Sequence, residues 1–189
     1  MAPPASSPYR IPACLRDLVM VDLLELTGST TAAAQLLNLS QPSVSRRYRS
    51  LADDLGLERQ TQRPYGRRYS DADWMALLRR GVNRHRLSCG VLRIGGLPGL
   101  ADGLQDCHWI QWVPLGRSAK KHWSQLLQLD LLDAVALESA DGLEEGSASE
   151  LLVQMEIRPA TTPPLLLVCR RDPLILEIAG RYGNTLESG

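Results

Sequence analysis

From residue 14 to 26 the run CLRDLVMVDLLEL sets Leu15, Leu18, Val21 and Leu24 three apart with further aliphatics beside them. That pattern predicts a helix with a wide apolar face, closed by Gly28. Ser29 or Thr30 then caps a second, short helix, TTAAAQLLN, whose alanines allow close helix–helix approach, and Asn38 follows as a turn residue. Ser40 stands as the N-cap of a third helix, with Gln41 and Pro42 in its first turn, where a missing proline N–H costs nothing. Along this helix Val44, Tyr48, Leu51 and Leu55 recur at i, i+4, i+7 and i+11, within about 60° of arc, and are expected to face inward. Ser43, Ser45, Arg46 and Arg49 point elsewhere, and Gly56 supplies the stop.

A fourth helical pattern covers residues 71–88, DADWMALLRRGVNRHRLS, with Trp74, Leu77, Leu78 and Val82 on one face and Arg79, Arg80, Arg84 and Arg86 around it. At about 1.5 Å per residue it spans roughly 27 Å, and Gly81 weakens it by about 1 kcal/mol relative to alanine. Beyond it the pattern changes. VLRIGGLPGL (91–100) reads as a strand entering a Gly-rich turn, and HWIQWVPL (108–115) as a second strand. SAKKHWSQLLQLDLLDAVALES predicts an amphipathic helix and then an apolar strand at 134–137; PPLLLVCRRDPL predicts another strand, with a tail helix near 174–182. The order suggests an α/β layer with mostly parallel strands.

Charge divides the chain in the same place. Residues 1–89 hold 13 Arg against 8 acids and residues 90–189 hold 8 Lys and Arg against 13, so a formal net charge of zero conceals halves of +5 and −5. A basic module joined to an acidic one is expected of a nucleic-acid-binding protein, although solvated charge can partition this way by chance. The Pro-rich residues 1–13 read as a flexible tail. Cys14, Cys89, Cys107 and Cys169 have no metal-ligand spacing, and no signal peptide or apolar run of about 20 residues is seen, which predicts a reduced, cytoplasmic protein with no membrane association. No GxSxG, HExxH or P-loop spacing occurs among sites that could use His85, His108 or His122, so neither an enzyme nor a metal or other cofactor is expected. Cys107-His108 lacks a second ligand pair. Trp109, Trp112 and Trp123 read as core or interface residues rather than a stacking platform, and the acidic residues 138–150 as a solvated loop.

Two helices joined by a short turn, the second with a buried stripe and a front edge of Gln, Ser and Arg, suit reading of the DNA major groove. A surface helix can carry arginines for solvation alone; the preceding helix and turn favour the groove. The run TGSTTAAAQLLNLSQPSVSRRYRSLADDLGL (27–57) closely resembles the N-terminal winged helix-turn-helix of LysR-type transcriptional regulators, through Gly28-Ser29, Ala33-Ala34, the block from Ser40 to Arg46, Leu51 and Leu55-Gly56. The resemblance implies double-stranded DNA as partner, with Gln41, Pro42, Ser43, Ser45 and Arg46 at or near bases and backbone, Thr30 and Thr31 near a phosphate, and Arg49 as a further contact. It also implies a two-stranded wing in QTQRPYGRRYSDAD, bearing Arg63, Arg67 and Arg68, with Ser70 capping the next helix. Where the family usually has an apolar Leu-Phe pair in the first wing strand, this chain has Arg59-Gln60, which puts that strand's packing in doubt.

Residues 71–88 resemble the family's linker helix, which implies a homodimer or higher oligomer through Trp74, Leu77, Leu78 and Val82. A helix packed on its own domain is the alternative. The second half resembles, more loosely, the first subdomain of the periplasmic-binding-protein-like effector domain, in Leu92-Arg93-Ile94-Gly95, QLLQLDLLDAVAL and PPLLLVCRRDPL. The expected organisation is therefore α/β overall: a tail (1–13), an all-α winged helix-turn-helix (14–70), a linker helix (71–88) and a curtailed α/β effector-like domain (89–189). The loop Gly95-Gly96-Leu97-Pro98-Gly99 has no hydroxyl to hold an anionic effector, which argues against a small-molecule site. Two other readings stay open: an interaction protein that binds another regulator through its linker helix and open sheet, and a ligand sensor that does not bind DNA.

Overall fold

A computed structural model describes residues 10–60, 62, 66–69, 72–100, 104, 107–138, 152–157, 164–181 and 183–185. The expected tail through residue 9, Arg63 with its neighbours Pro64 and Tyr65, the Ser70 cap and most of the acidic loop at 138–150 lie outside them. The chain forms two compact units, one drawn from Ile11–Arg84 and Leu115–Leu131, the other from His85–Pro114 and Leu132–Gly189.

In the helical unit, α1 (Arg16–Thr27), α2 (Thr30–Leu37) and α3 (Gln41–Leu55) pack on one another. The capping residues act as the sequence predicts. Gly28, Asn38 and Gly56 close the three helices in the left-handed conformation, while Ser29 and Ser40 accept the N–H groups of Ala32 and Ser43, each at 3.3 Å. The last two turns of α1 are buried all round, from Val19 to Leu26, including two acids. Asp22 accepts from Arg79 Nε at 2.7 Å. Glu25 accepts from the backbone N–H groups of Arg68 and Tyr69 at 2.8 and 2.7 Å.

Two expectations are corrected here. Leu55, assigned to the inward stripe of α3, is exposed, whereas Leu57 just beyond the helix is buried and donates its N–H to Ala52; the turn at Gly56 carries the chain back over the helix end. The amphipathic helix predicted from SAKKHWSQLLQLDLL is two short ones, α5 (Arg117–Lys120) and α6 (Trp123–Gln128), broken at Lys121 and His122. This stretch belongs to the helical unit, where Leu129 and Asp130 offer carbonyl oxygens to Arg79 and Asn83 of α4 (Asp73–Ser88) at 3.2 and 2.6 Å.

The sheet unit holds β1 (Leu92–Gly96), β2 (Ile110–Pro114), β3 (Ala134–Leu137), β4 (Leu152–Ile157), β5 (Leu165–Arg170) and β6 (Gly183–Thr185), with α7 (Pro173–Gly180) before the last strand. Strand order is β2-β1-β3-β5-β4-β6. Only β1 with β2 and β1 with β3 are parallel; β3 with β5, β5 with β4 and β4 with β6 are antiparallel. The expectation of mostly parallel strands therefore fails in the C-terminal part. A parallel return needs a crossover of about a dozen residues or more, and only residues 158–164 separate β4 from β5. Strands β4 and β6 have no counterpart in the sequence reading. Leu92, Ile94, Ala134, Leu167 and Cys169 form one face of the sheet's core together with Ile175 and Ile178 of α7 and Leu87 of α4. Burial pushes the Cys169 thiol up to about 12, with help from Asp133, so it is an inert apolar group.

At the heart of this unit Asp133 is wholly buried. Its carboxylate accepts from the Arg86 guanidinium, from Arg170 Nη2 at 2.9 Å and from the Arg93 backbone N–H at 2.7 Å. Burial alone would raise its pKa; the charge and hydrogen bonds of Arg86, then Arg170 and the Arg93 amide, outweigh this and hold it below the ordinary carboxylate value. Among the described residues no helix is long and apolar enough to cross a membrane.

Asp133→Ala leaves two arginine side chains without their shared carboxylate, and is expected to cost about 3–5 kcal/mol by urea denaturation. Because the folded-state pKa is depressed, the stabilisation from Asp133 is complete above its unfolded value of 3.8 and drains away as pH falls through the lower folded value. Acid titrations of wild type and Asp133→Asn should therefore begin to approach one another only below about pH 4. Ser40→Ala, which removes the cap of α3, is expected to lower stability by about 1 kcal/mol, whereas Ser40→Gly should cost only a few tenths.

Candidate nucleic-acid interface

Thr27 sets the spacing between α1 and α2, its Oγ1 donating to Leu23 O at 2.8 Å and receiving the Ser29 N–H at 3.3 Å. Residues Asn38–Ser40 then turn the chain into α3. Val44 is fully buried, and this one anchor decides which way the helix faces. Gln41, Pro42, Arg46 and Arg49 are exposed, and Ser43 and Ser45 half-buried. Gln41 Nε2 donates to Thr30 Oγ1 at 3.1 Å, which brings the first turns of α2 and α3 together, with Thr31 exposed beside Thr30. The Ser43 hydroxyl lies 2.8 Å from that of Ser40 and so belongs to the cap.

Arg46 and Arg49 have no carboxylate partner among the described residues. Arg47, which the sequence reading did not single out, sits 3.8 Å from Asp17 with both side chains nearly half exposed, a weak pairing. The result is a polar, cationic edge on one side of α3, and two adjoining helix starts whose N–H dipoles favour anions.

Much of the expected wing, residues 61, 63–65 and 70–71, lies outside the described residues; among those described, the Gln60 N–H donates to Arg68 O at 2.8 Å. Arg59 does not enter a core but lies over the Tyr69 ring, 5.1 Å from its centroid. Tyr69 is itself buried, meets the Tyr48 ring edge-on at 5.2 Å and accepts the Tyr48 hydroxyl through its carbonyl at 3.4 Å. Burial, then the Glu25 charge and Tyr69, push Tyr48 up to about 12 against the lowering effect of Arg59. Gly66 has φ +87°, and a Cβ there would come within 2.8 Å of Leu129, so the wing approaches that side chain as only glycine allows. Arg67 is exposed and Arg68 half-buried.

The expected dimerisation residues separate into two groups. Trp74, Leu77 and Leu78 are exposed, Leu77 at 67%. Val82 is buried, at the flank of a stripe that includes Met75, Arg79, Asn83 and Arg86. The helix thus hides two arginines that the sequence reading placed around an apolar face and shows three large apolar side chains. The signal for this was the presence of Asp22, Glu25 and Asp133 within apolar runs, since a carboxylate that must be buried calls for a cation or N–H donors.

In the sheet unit, the loop after β1 leads into a 3-10 turn at Pro98–Leu100. The Trp112 ring stands over Gly96, where a Cβ would meet it at 2.3 Å. Among the described residues no group of three or more His, Cys, Asp or Glu side chains is placed to hold a metal.

Residues 15–63 match the family described as bacterial regulatory helix-turn-helix protein, lysR family. No curated protein matches the chain. Among solved structures it is similar to an H2O2-bound OxyR mutant of Corynebacterium glutamicum, at 17% identity and TM-score 0.34, over 80% of this chain and 51% of that one. A full-length OxyR mutant of Pseudomonas aeruginosa gives 16% identity and TM-score 0.38 over 78% and 55%. Vibrio fischeri DarR in complex with DNA gives 19% identity and TM-score 0.29 over 75% and 56%. The chain spans about half the length of these proteins. The segment that carries α1, α2 and α3 is thus similar to the bacterial regulatory helix-turn-helix proteins of the lysR family.

Proposed function

We propose that this protein is a sequence-specific DNA-binding transcriptional regulator that acts as a dimer, with α3 of each protomer in the major groove. The observation that carries the reading is the orientation of α3. Val44 is buried, so Gln41, Arg46 and Arg49 stand on a solvent-facing edge, and the Gln41–Thr30 bond keeps the head of α2 next to it. Gln and Arg provide the paired donors and acceptors that base edges require, and the threonines and wing arginines provide phosphate contacts. The match of residues 15–63 to a regulatory helix-turn-helix family supports the same assignment.

For dimerisation the support is the cluster of Trp74, Leu77 and Leu78 on α4, large apolar side chains on the surface of an otherwise arginine-rich helix. Pairing of two such helices would set two copies of α3 at a fixed spacing on an interrupted dyad site. The same exposed cluster also suits a second reading, in which the chain pairs with the linker helix of another regulator. The Trp112 ring packed over Gly96 supports regulation without a small-molecule anion at that loop.

An Arg46→Ala/Arg49→Ala double variant should bind duplex DNA at least about tenfold more weakly, with a salt dependence reduced by about one unit of slope for each phosphate no longer neutralised. Fluorescence anisotropy over a salt series measures both, and equal binding by the two proteins would remove α3 from the interface. Leu77→Asp should convert the dimer to monomer in sedimentation velocity without changing the circular dichroism. A wild type already monomeric in isolation that forms a stable pair with another regulator would favour the second reading.

A further inference from the structure

We infer that Glu25, a buried acid on the helix before the helix-turn-helix, is the positioning residue that keys the segment bearing Arg67 and Arg68 to α3. The inference rests on the DNA-binding reading above. Glu25 is 1% exposed, and its two carboxylate oxygens are divided between two consecutive amides, Oε2 receiving Arg68 N–H and Oε1 receiving Tyr69 N–H. A carboxylate shared in this way fixes both the position and the direction of the short segment that carries Arg67 and Arg68.

The segment is then tied to α3 through one residue. Tyr69 receives the Tyr48 hydroxyl at its carbonyl and the Tyr48 ring edge against its own ring, while Arg59 covers its face from the other side of the wing. Together with the Gln60–Arg68 backbone bond, these side-chain contacts fix where Arg67 and Arg68 stand relative to Arg46 and Arg49. All of the groups involved lie in the helical unit. A glutamine at position 25 would keep one acceptor but bring an NH2 group against one of the two amides, and the wing would lose its paired anchor.

The test uses the full chain and a mixed-sequence duplex alongside one enriched by the wild type from a random pool. In Glu25→Gln, amide exchange of peptides covering residues 66–69 should rise roughly ten- to a hundredfold while peptides within residues 30–55 stay as in wild type. Its salt slope for DNA should fall by about one to two units with base preference unchanged. Arg67→Ala/Arg68→Ala should give the same slope, and adding Glu25→Gln to it should give no further fall. Should Glu25→Gln fail to fold, Tyr48→Phe, which removes only the hydroxyl bond to Tyr69, carries the test and is expected to shift slope and exchange in the same direction by less. Unchanged exchange at 66–69, or weaker binding with a wild-type slope, overturns the proposal. A wild type that binds DNA and is weakened by the Arg46/Arg49 change, yet whose slope Glu25→Gln leaves untouched, overturns it alone. A wild type that binds neither duplex overturns the DNA-binding reading together with it.

Discussion

A carboxylate taken out of water must be met by donors at close range, because the interior offers nothing else to stabilise its charge. Among the described residues three buried acids impose that requirement, and each decides the place of a segment far away in sequence. Asp22 draws Arg79 inward and with it one face of α4. Glu25 holds the amides of Arg68 and Tyr69. Asp133 gathers Arg86, Arg170 and the start of β1. Asp22 and Glu25 lie within the apolar run of α1 and Asp133 just before the apolar strand β3, and in each case the acid is what makes the burial specific.

The same requirement explains the surface of α4. Arginines recurring on a helix are ordinarily solvated, but Arg79 and Arg86 are seven residues apart, two turns on the same side, and both have buried acids to satisfy. Turning that side inward leaves Trp74, Leu77 and Leu78 outside. An exposed apolar cluster is thus a consequence of where the charges must go, and it is this cluster that makes a partner helix a reasonable expectation.

Along α2 and α3 the local rules were sufficient. Ser29, Ser40, Gly28, Asn38 and Gly56 act through hydrogen bonds and φ angles that involve residues at most a few positions away, so their roles are legible in the residue order alone. Val44 at the head of an i, i+4, i+7, i+11 pattern likewise determined which residues of α3 face out. The stripe weakened towards Leu55 because burial there depends on what lies above the helix end, which periodicity does not record. The contacts of Tyr69 escape local rules for a similar reason: its partners Glu25 and Tyr48 are more than twenty residues distant from it.

The sequence by itself determined α1 to α4 and the caps of α1, α2 and α3, the exposed edge of α3, the charge division of the chain and the strands β1, β2, β3 and β5, since each follows from spacing or from interactions within a turn or two. Only the tertiary structure decided the antiparallel placement of β4 and β6, the inward turn of Arg79 and Arg86, the separation of Val82 from Trp74, Leu77 and Leu78, and the anchoring of the wing. Each of these is a pairing across tens of residues, set by which donor reaches a buried acceptor or which strand edge is left to bond. A linear pattern shows that an acid must find a partner. It does not show which one.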